Sequence, residues 1–163
     1  MNIVIRKYRE SDLDEMTDIW NEVVAEGNAF PQTDILDKAD AKEFFSGQTF
    51  CAVAEDEETN QTVGLYILHP NNVGRCGHIC NASYAVKSNV RGAHIGERLV
   101  NHCLNTARKC GFKIIQFNAV VFSNVHARNL YERIGFKQVG IIPKGFYMKN
   151  GEYEDICIYY YTL

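Results

Sequence analysis

The chain has 163 residues, 46% of them hydrophobic and 23% charged, and a formal net charge of -3. A chain of that length buries roughly two-thirds of the surface its unfolded form exposes, so a single domain is expected over residues 1–163. Its lysines and arginines are scattered, and no apolar run approaches the roughly 20 residues of a membrane span. Nucleic acid and membrane are therefore excluded as partners, and a cytoplasmic protein is expected.

Asn2 to Lys7 alternates and is rich in β-branched residues, which predicts a strand. Ser11, with Asp14 three residues on, predicts a cap for a helix whose Leu13, Met16, Trp20, Val23 and Val24 form one apolar stripe. Gly27 to Pro31 breaks that helix, and a weaker helical stretch runs from about Ile35 to Phe45. Phe50 to Ala54 and Val63 to Leu68 read as strands joined by a polar loop, and Ile79 to Val86 as a further strand.

From His94 to Cys110, apolar residues recur every three or four positions and Gly111 marks the stop, predicting the strongest helix in the chain. Ile114 to Phe122 reads as a strand buried on both faces and Asn124 to Ile134 as a short helix. Lys137 to Ile142 and Tyr153 to Tyr161 read as closing strands. This order implies an α/β layer structure with a mixed sheet. The six cysteines form no pair at two-residue spacing and are expected to be reduced and mostly buried. In a strand, Cys76, His78 and Cys80 would share a face, but a fourth zinc ligand is lacking, so no metal is expected.

The segment Arg91-Gly92-Ala93-His94-Ile95-Gly96 links a strand to the strongest helix, aiming free N–H groups and a positive helix end at one point, as a pyrophosphate site does. About thirty residues later come Asn124, Ala127, Leu130, Tyr131, Gly135 and Phe136. Together these two motifs resemble the Gcn5-related N-acetyltransferase superfamily. The departure is His94, which occupies the position of the pattern's middle glycine. A right-handed helical His94 would carry no steric penalty there.

The resemblance implies a mostly antiparallel sheet of about seven strands, splayed in a V between the fourth and fifth and flanked by about four helices. It also implies acetyl-CoA as co-substrate, bound by Tyr84, Ala85, Val86, Arg91, Gly92, Ala93, His94, Ile95, Gly96, Glu97 and Asn124. Tyr131 would protonate the departing thiolate, since a phenol keeps its proton at neutral pH, and an N–H near Val86 would polarise the thioester carbonyl. Packing in the core is the alternative reading for Tyr131, because Ala127, Leu130 and Ile134 share its stripe.

The implied acceptor is a small-molecule amine, with Asn81, Asn118 and Phe30 as its contacts and a homodimer as the assembly. Asn81 and Asn118 are expected to be buried and hydrogen-bonded. Relatives similar to phosphinothricin acetyltransferases carry a carboxylate where this chain has Asn81, leaving Glu22, Glu26 and His78 as candidate bases and none assigned. The first two helices, residues Asn28 to Thr33 and a loop from Lys144 to Glu152 are expected to frame the acceptor pocket, with Phe146 and Tyr147 near it. An acyl-CoA-binding module without turnover, or an enzyme acting on a protein amine, is the alternative.

Overall fold

A computed structural model describes residues 1–163 as β1 (Ile3–Lys7), α1 (Leu13–Glu26), α2 (Lys38–Ser46), β2 (Phe50–Asp56), β3 (Gln61–Pro70), β4 (Ile79–Val86), α3 (Ile95–Lys109), β5 (Ile114–Val121), α4 (Val125–Ile134), β6 (Lys137–Tyr147) and β7 (Tyr153–Thr162). The seven strands form one sheet in the order β1-β2-β3-β4-β5-β7-β6. Every neighbouring pair is antiparallel except β4 and β5. That parallel pair holds register only at Ile79↔Ile114 and Cys80↔Ile115, and beyond it the strands diverge. The mixed sheet, its splay and the four helices agree with the expected fold.

Strand alternation divides the core into two layers. On one face Tyr66, Leu68, Cys80, Ala82, Ile115, Phe117 and Tyr159 pack with Leu99 and Cys103 of α3. On the other, Leu65, Ile67 and Ala85 pack under α1 and α2, around Trp20, Val23 and Phe45. This second layer ends at β4, so the same face of β5 is uncovered: Gln116 is half-buried and Asn118 exposed. The expectation of a β5 buried on both faces is thereby corrected, because the two helices that would cover it lie over β2 to β4. β6 runs to Tyr147, further than expected, so the first four residues of the anticipated loop from Lys144 are strand.

The start of α1 also differs from the expected Ser11 cap. Asp12 precedes the helix, accepting both guanidinium nitrogens of Arg6 at 2.7 and 3.0 Å and the Arg9 N–H at 2.6 Å. Burial alone would raise the Asp12 carboxyl, but the bonds from Arg6 and Arg9 outweigh it and hold the group below its ordinary value. Such a group contributes stability above the unfolded carboxylate pKa of about 3.9, and this is lost as pH falls through the folded value. Asp12→Asn is therefore expected to lower the urea midpoint at neutral pH, with the gap to the wild type closing below about pH 4. A gap unchanged in acid would contradict the assignment to ionised Asp12.

Candidate active site

β4 ends at Val86, a 3-10 turn occupies Ser88–Val90, and α3 begins at Ile95 with no side chain capping it. The first-turn N–H groups of α3 thus have no intrahelical partners and lie at the positive end of the helix dipole. Gly92 has φ +87°, and His94 is left-handed, with φ 58° and ψ 17°. The right-handed conformation expected for His94 is therefore corrected. The chain must coil tightly between the 3-10 turn and α3, and a left-handed residue is what that path requires. Such coiling gathers successive N–H groups into an anion-binding concavity.

His94 adopts this conformation at a cost that a glycine would avoid. Its imidazole is 80% exposed, and its Nδ1 lies 3.6 Å from Glu97, which also accepts from Arg133 at 2.9 Å. The left-handed penalty of about 1–2 kcal/mol exceeds the roughly 0.5–1 kcal/mol of extra chain entropy that glycine loses. His94→Gly is therefore expected to raise Tm by about 2 °C. A lower Tm would mean that the Glu97 contact outweighs the backbone strain.

Arg91 is turned away from the helix end. Its Nε donates to the Val86 carbonyl at 3.2 Å, and its two terminal nitrogens donate to Glu26 at 3.0 and 2.7 Å. Glu22 accepts from the N–H of Ser88 at 3.1 Å and from its hydroxyl. The bond from the Ser88 hydroxyl is the main cause holding the Glu22 carboxyl below its ordinary range. Both carboxylates considered as bases are thus occupied in fixing the turn to α1. His78 lies just before β4, at the closed end of the V.

Beside the turn is a groove of about 870 Å³ whose lining includes Val86, His94, Gly96, Asn124 and Leu130. Ala93 is exposed, and Ile95 is buried in the α3 core, so its side chain serves packing. Asn124 caps α4, its Oδ1 accepting from the Ala127 N–H at 3.2 Å. The backbone of β4 forms the groove's inner wall. Lys87 N–H donates to Val63 on β3, and strand alternation then turns the backbone groups of Val86, Tyr84 and Ala82 toward the gap, where β5 has diverged. Ala85 directs its backbone to β3 and packs its side chain under α1.

Tyr131 sits on α4 with its ring 4.6 Å from Phe117, 5.5 Å from Phe136 and 6.1 Å from Tyr159. Burial raises its phenol well above the usual tyrosine value. Tyr84, on β4, is the one residue whose buried side-chain polar atom lacks a hydrogen-bond partner. Desolvation raises that phenol as well.

The acceptor-side expectations fare unevenly. Phe30 is buried at 7% exposure, its ring 4.4 Å from Trp20, because the left-handed Gly27 turns the chain back onto α1. It belongs to the core, which corrects its assignment as a pocket residue. Phe146 is likewise buried, packing with Val121 and Ile156, whereas Tyr147 is exposed against Tyr153. Asn118 is exposed rather than buried, donating to Asn71 at 2.6 Å and accepting from Gln116 at 3.0 Å. Asn81 is half-buried, with its Oδ1 accepting from the next N–H at 2.8 Å. Asn71 and Gln116 escaped the sequence reading, although the Pro70-Asn71-Asn72 turn signal marks one of them.

Cys76 lies in a 3-10 turn and Cys80 is buried, its thiol donating to the Ile114 carbonyl, so the pair expected on one strand face is not formed. No helix is long and apolar enough to cross a membrane.

A family model described as the acetyltransferase (GNAT) family matches residues 12–136. The N-acetyltransferase aca1 of Schizosaccharomyces pombe is 30% identical over 171 aligned residues, covering 95% of this chain and 82% of that protein. Among solved structures, a GCN5-related N-acetyltransferase from Kribbella flavida superposes with a TM-score of 0.91 at 25% identity, covering 99% of this chain and 98% of that one. A phosphinothricin acetyltransferase from Sinorhizobium meliloti, solved with acetyl-CoA, shares the fold with a TM-score of 0.91 at 21% identity, covering 100% and 89% of the two chains. With its splayed parallel pair, uncapped helix and matched motif segment, the chain belongs to the acetyltransferase (GNAT) family.

Proposed function

We propose that residues 1–163 act as one acetyltransferase domain that moves an acetyl group from acetyl-CoA to the amine of a small molecule, by direct attack with both substrates bound. The observation that carries this reading is the continuity of the groove. It runs from the uncapped end of α3 along the β4 edge at Val86 and Tyr84 and against α4 as far as Leu130, the residue before Tyr131. The α3 N–H groups suit a pyrophosphate. The edge groups of Tyr84 and Val86 suit an extended amide-bearing arm, added as a strand is added to a sheet.

Acetyl-CoA supplies the activated acyl thioester when bound. A backbone N–H of this β4 edge near Val86 donates to the thioester carbonyl oxygen, where negative charge grows during attack. Tyr131 gives its proton to the leaving sulfur, and burial keeps that proton in place at neutral pH. The amide-lined face formed by Asn81 and Asn118 receives the acceptor. A homodimer formed through edge strand β6 in the cytoplasm completes the proposal, supported by the exposure of Val139 and Ile141.

The test is thiol release on mixing the protein and acetyl-CoA with a panel of amino acids, amines and peptides. Release with small amines supports the reading, and release with peptides alone replaces the acceptor class. Cofactor binding without any release would identify an acyl-CoA-binding module.

A further inference from the structure

The acetyl acceptor must shed a proton, and Asn81, on the face proposed to receive the acceptor, does not ionise. Glu22 and Glu26 are occupied by Ser88 and Arg91. The sheet register supplies a different group. His69 on β3 is the cross-strand partner of Asn81, which places the two side chains on one face with Cβ atoms about 5 Å apart. It is the face that α1 and α2 cover at Leu65 and Ile67 of β3, and His69, further along the strand, is only half-buried there.

Two further features prepare His69. Its Nδ1 lies 3.0 Å from the carbonyl oxygen of Pro70. Since that oxygen can only accept, Nδ1 carries a proton, and the neutral form of the ring has its lone pair on Nε2. The following Asn71 is fixed on both sides: its N–H donates to Ile79 at 2.8 Å, and its Oδ1 accepts from Asn118 of β5 at 2.6 Å. Segment 69–71 is thereby held across the closed end of the V. The cross-strand partner of His69, Asn81, carries no ionisable group, and neither does Gln116 on β5.

We propose that His69 is the general base of the acetyl transfer, receiving the acceptor's proton on Nε2 directly or through one water. The inference rests on the function proposed above. As the acceptor nitrogen forms its bond to the acetyl carbon and the C–S bond breaks, the proton leaving nitrogen passes to His69 and the sulfur takes one from Tyr131. The side chains end as imidazolium and phenolate. Release of one proton from His69 to solvent and uptake of one by Tyr131 restore both.

The experiment compares wild type, His69→Gln and His69→Ala with acetyl-CoA and the best amine of the panel. We expect kcat to fall at least tenfold in both variants, with the acetyl-CoA Kd within twofold of wild type and added imidazole restoring part of the His69→Ala rate. Wild-type turnover in His69→Gln overturns the role of His69 alone. So does a loss that imidazole does not relieve and that tracks a weakened acetyl-CoA Kd. A wild type that binds acetyl-CoA but releases no thiol with any amine overturns this inference together with the proposed function.

Discussion

Replacing Tyr131 by phenylalanine is expected to slow thiol release by about 100-fold or more while leaving the acetyl-CoA Kd within twofold. The substitution isolates one proton. The ring, which makes the contacts with Phe117, Phe136 and Tyr159, is retained. No hydrogen bond contributes to the raised phenol, whose causes are burial and the neighbouring Cys103 and Tyr159, so removing the oxygen strands no partner. A change in Tm of more than a few degrees would therefore be unexpected. A thiolate leaving into this apolar surrounding is poorly solvated and depends on an adjacent donor. Unchanged turnover in Tyr131→Phe would leave the residue as a core aromatic. Attention would then move to the Tyr84 hydroxyl, which is buried without a partner.

Much of this arrangement was legible in the sequence because it is periodic. The apolar repeats of α1 and α3 and the alternation of β4 fix element type, and their order specifies the layered sheet. The Arg91 to Gly96 turn and the Asn124 to Phe136 segment were legible because each is local. What escaped depends on contacts between distant segments. The exposure of Asn118 follows from helices that stop above β4, and nothing in the sequence of β5 records where α1 lies. The burial of Phe30 follows from the path that Gly27 imposes back toward Trp20. The pairing of His69 with Asn81 is a matter of register, visible only once β3 and β4 are aligned. The left-handed His94 was hidden for another reason: residue identity suggested a conformation, but the path between two helices decided it.

Gly96→Leu is expected to weaken acetyl-CoA binding by about 100-fold or more, because a branched side chain there excludes a ligand that bridges the α3 end and α4. Gly96 is the second residue of α3 and lines the groove. It has no positive φ, and a Cβ added to it would meet only Leu130 Cδ2, at 3.9 Å. The fold itself therefore does not demand glycine. In a helix, leucine is favoured over glycine by roughly 0.5–1 kcal/mol, so Tm should hold or rise slightly. Retained stability combined with lost affinity is the signature of a glycine kept small for a ligand. Gly96→Ala should sit between the two, since one methyl reaches ordinary contact with Leu130 and projects little further. If the leucine variant binds acetyl-CoA as wild type does, the pyrophosphate does not approach α3 here, and the uncapped helix end needs another explanation. If affinity falls with the size of the side chain while Tm holds, the groove between α3 and α4 is the cofactor path, and the strained His94 stands at its entrance.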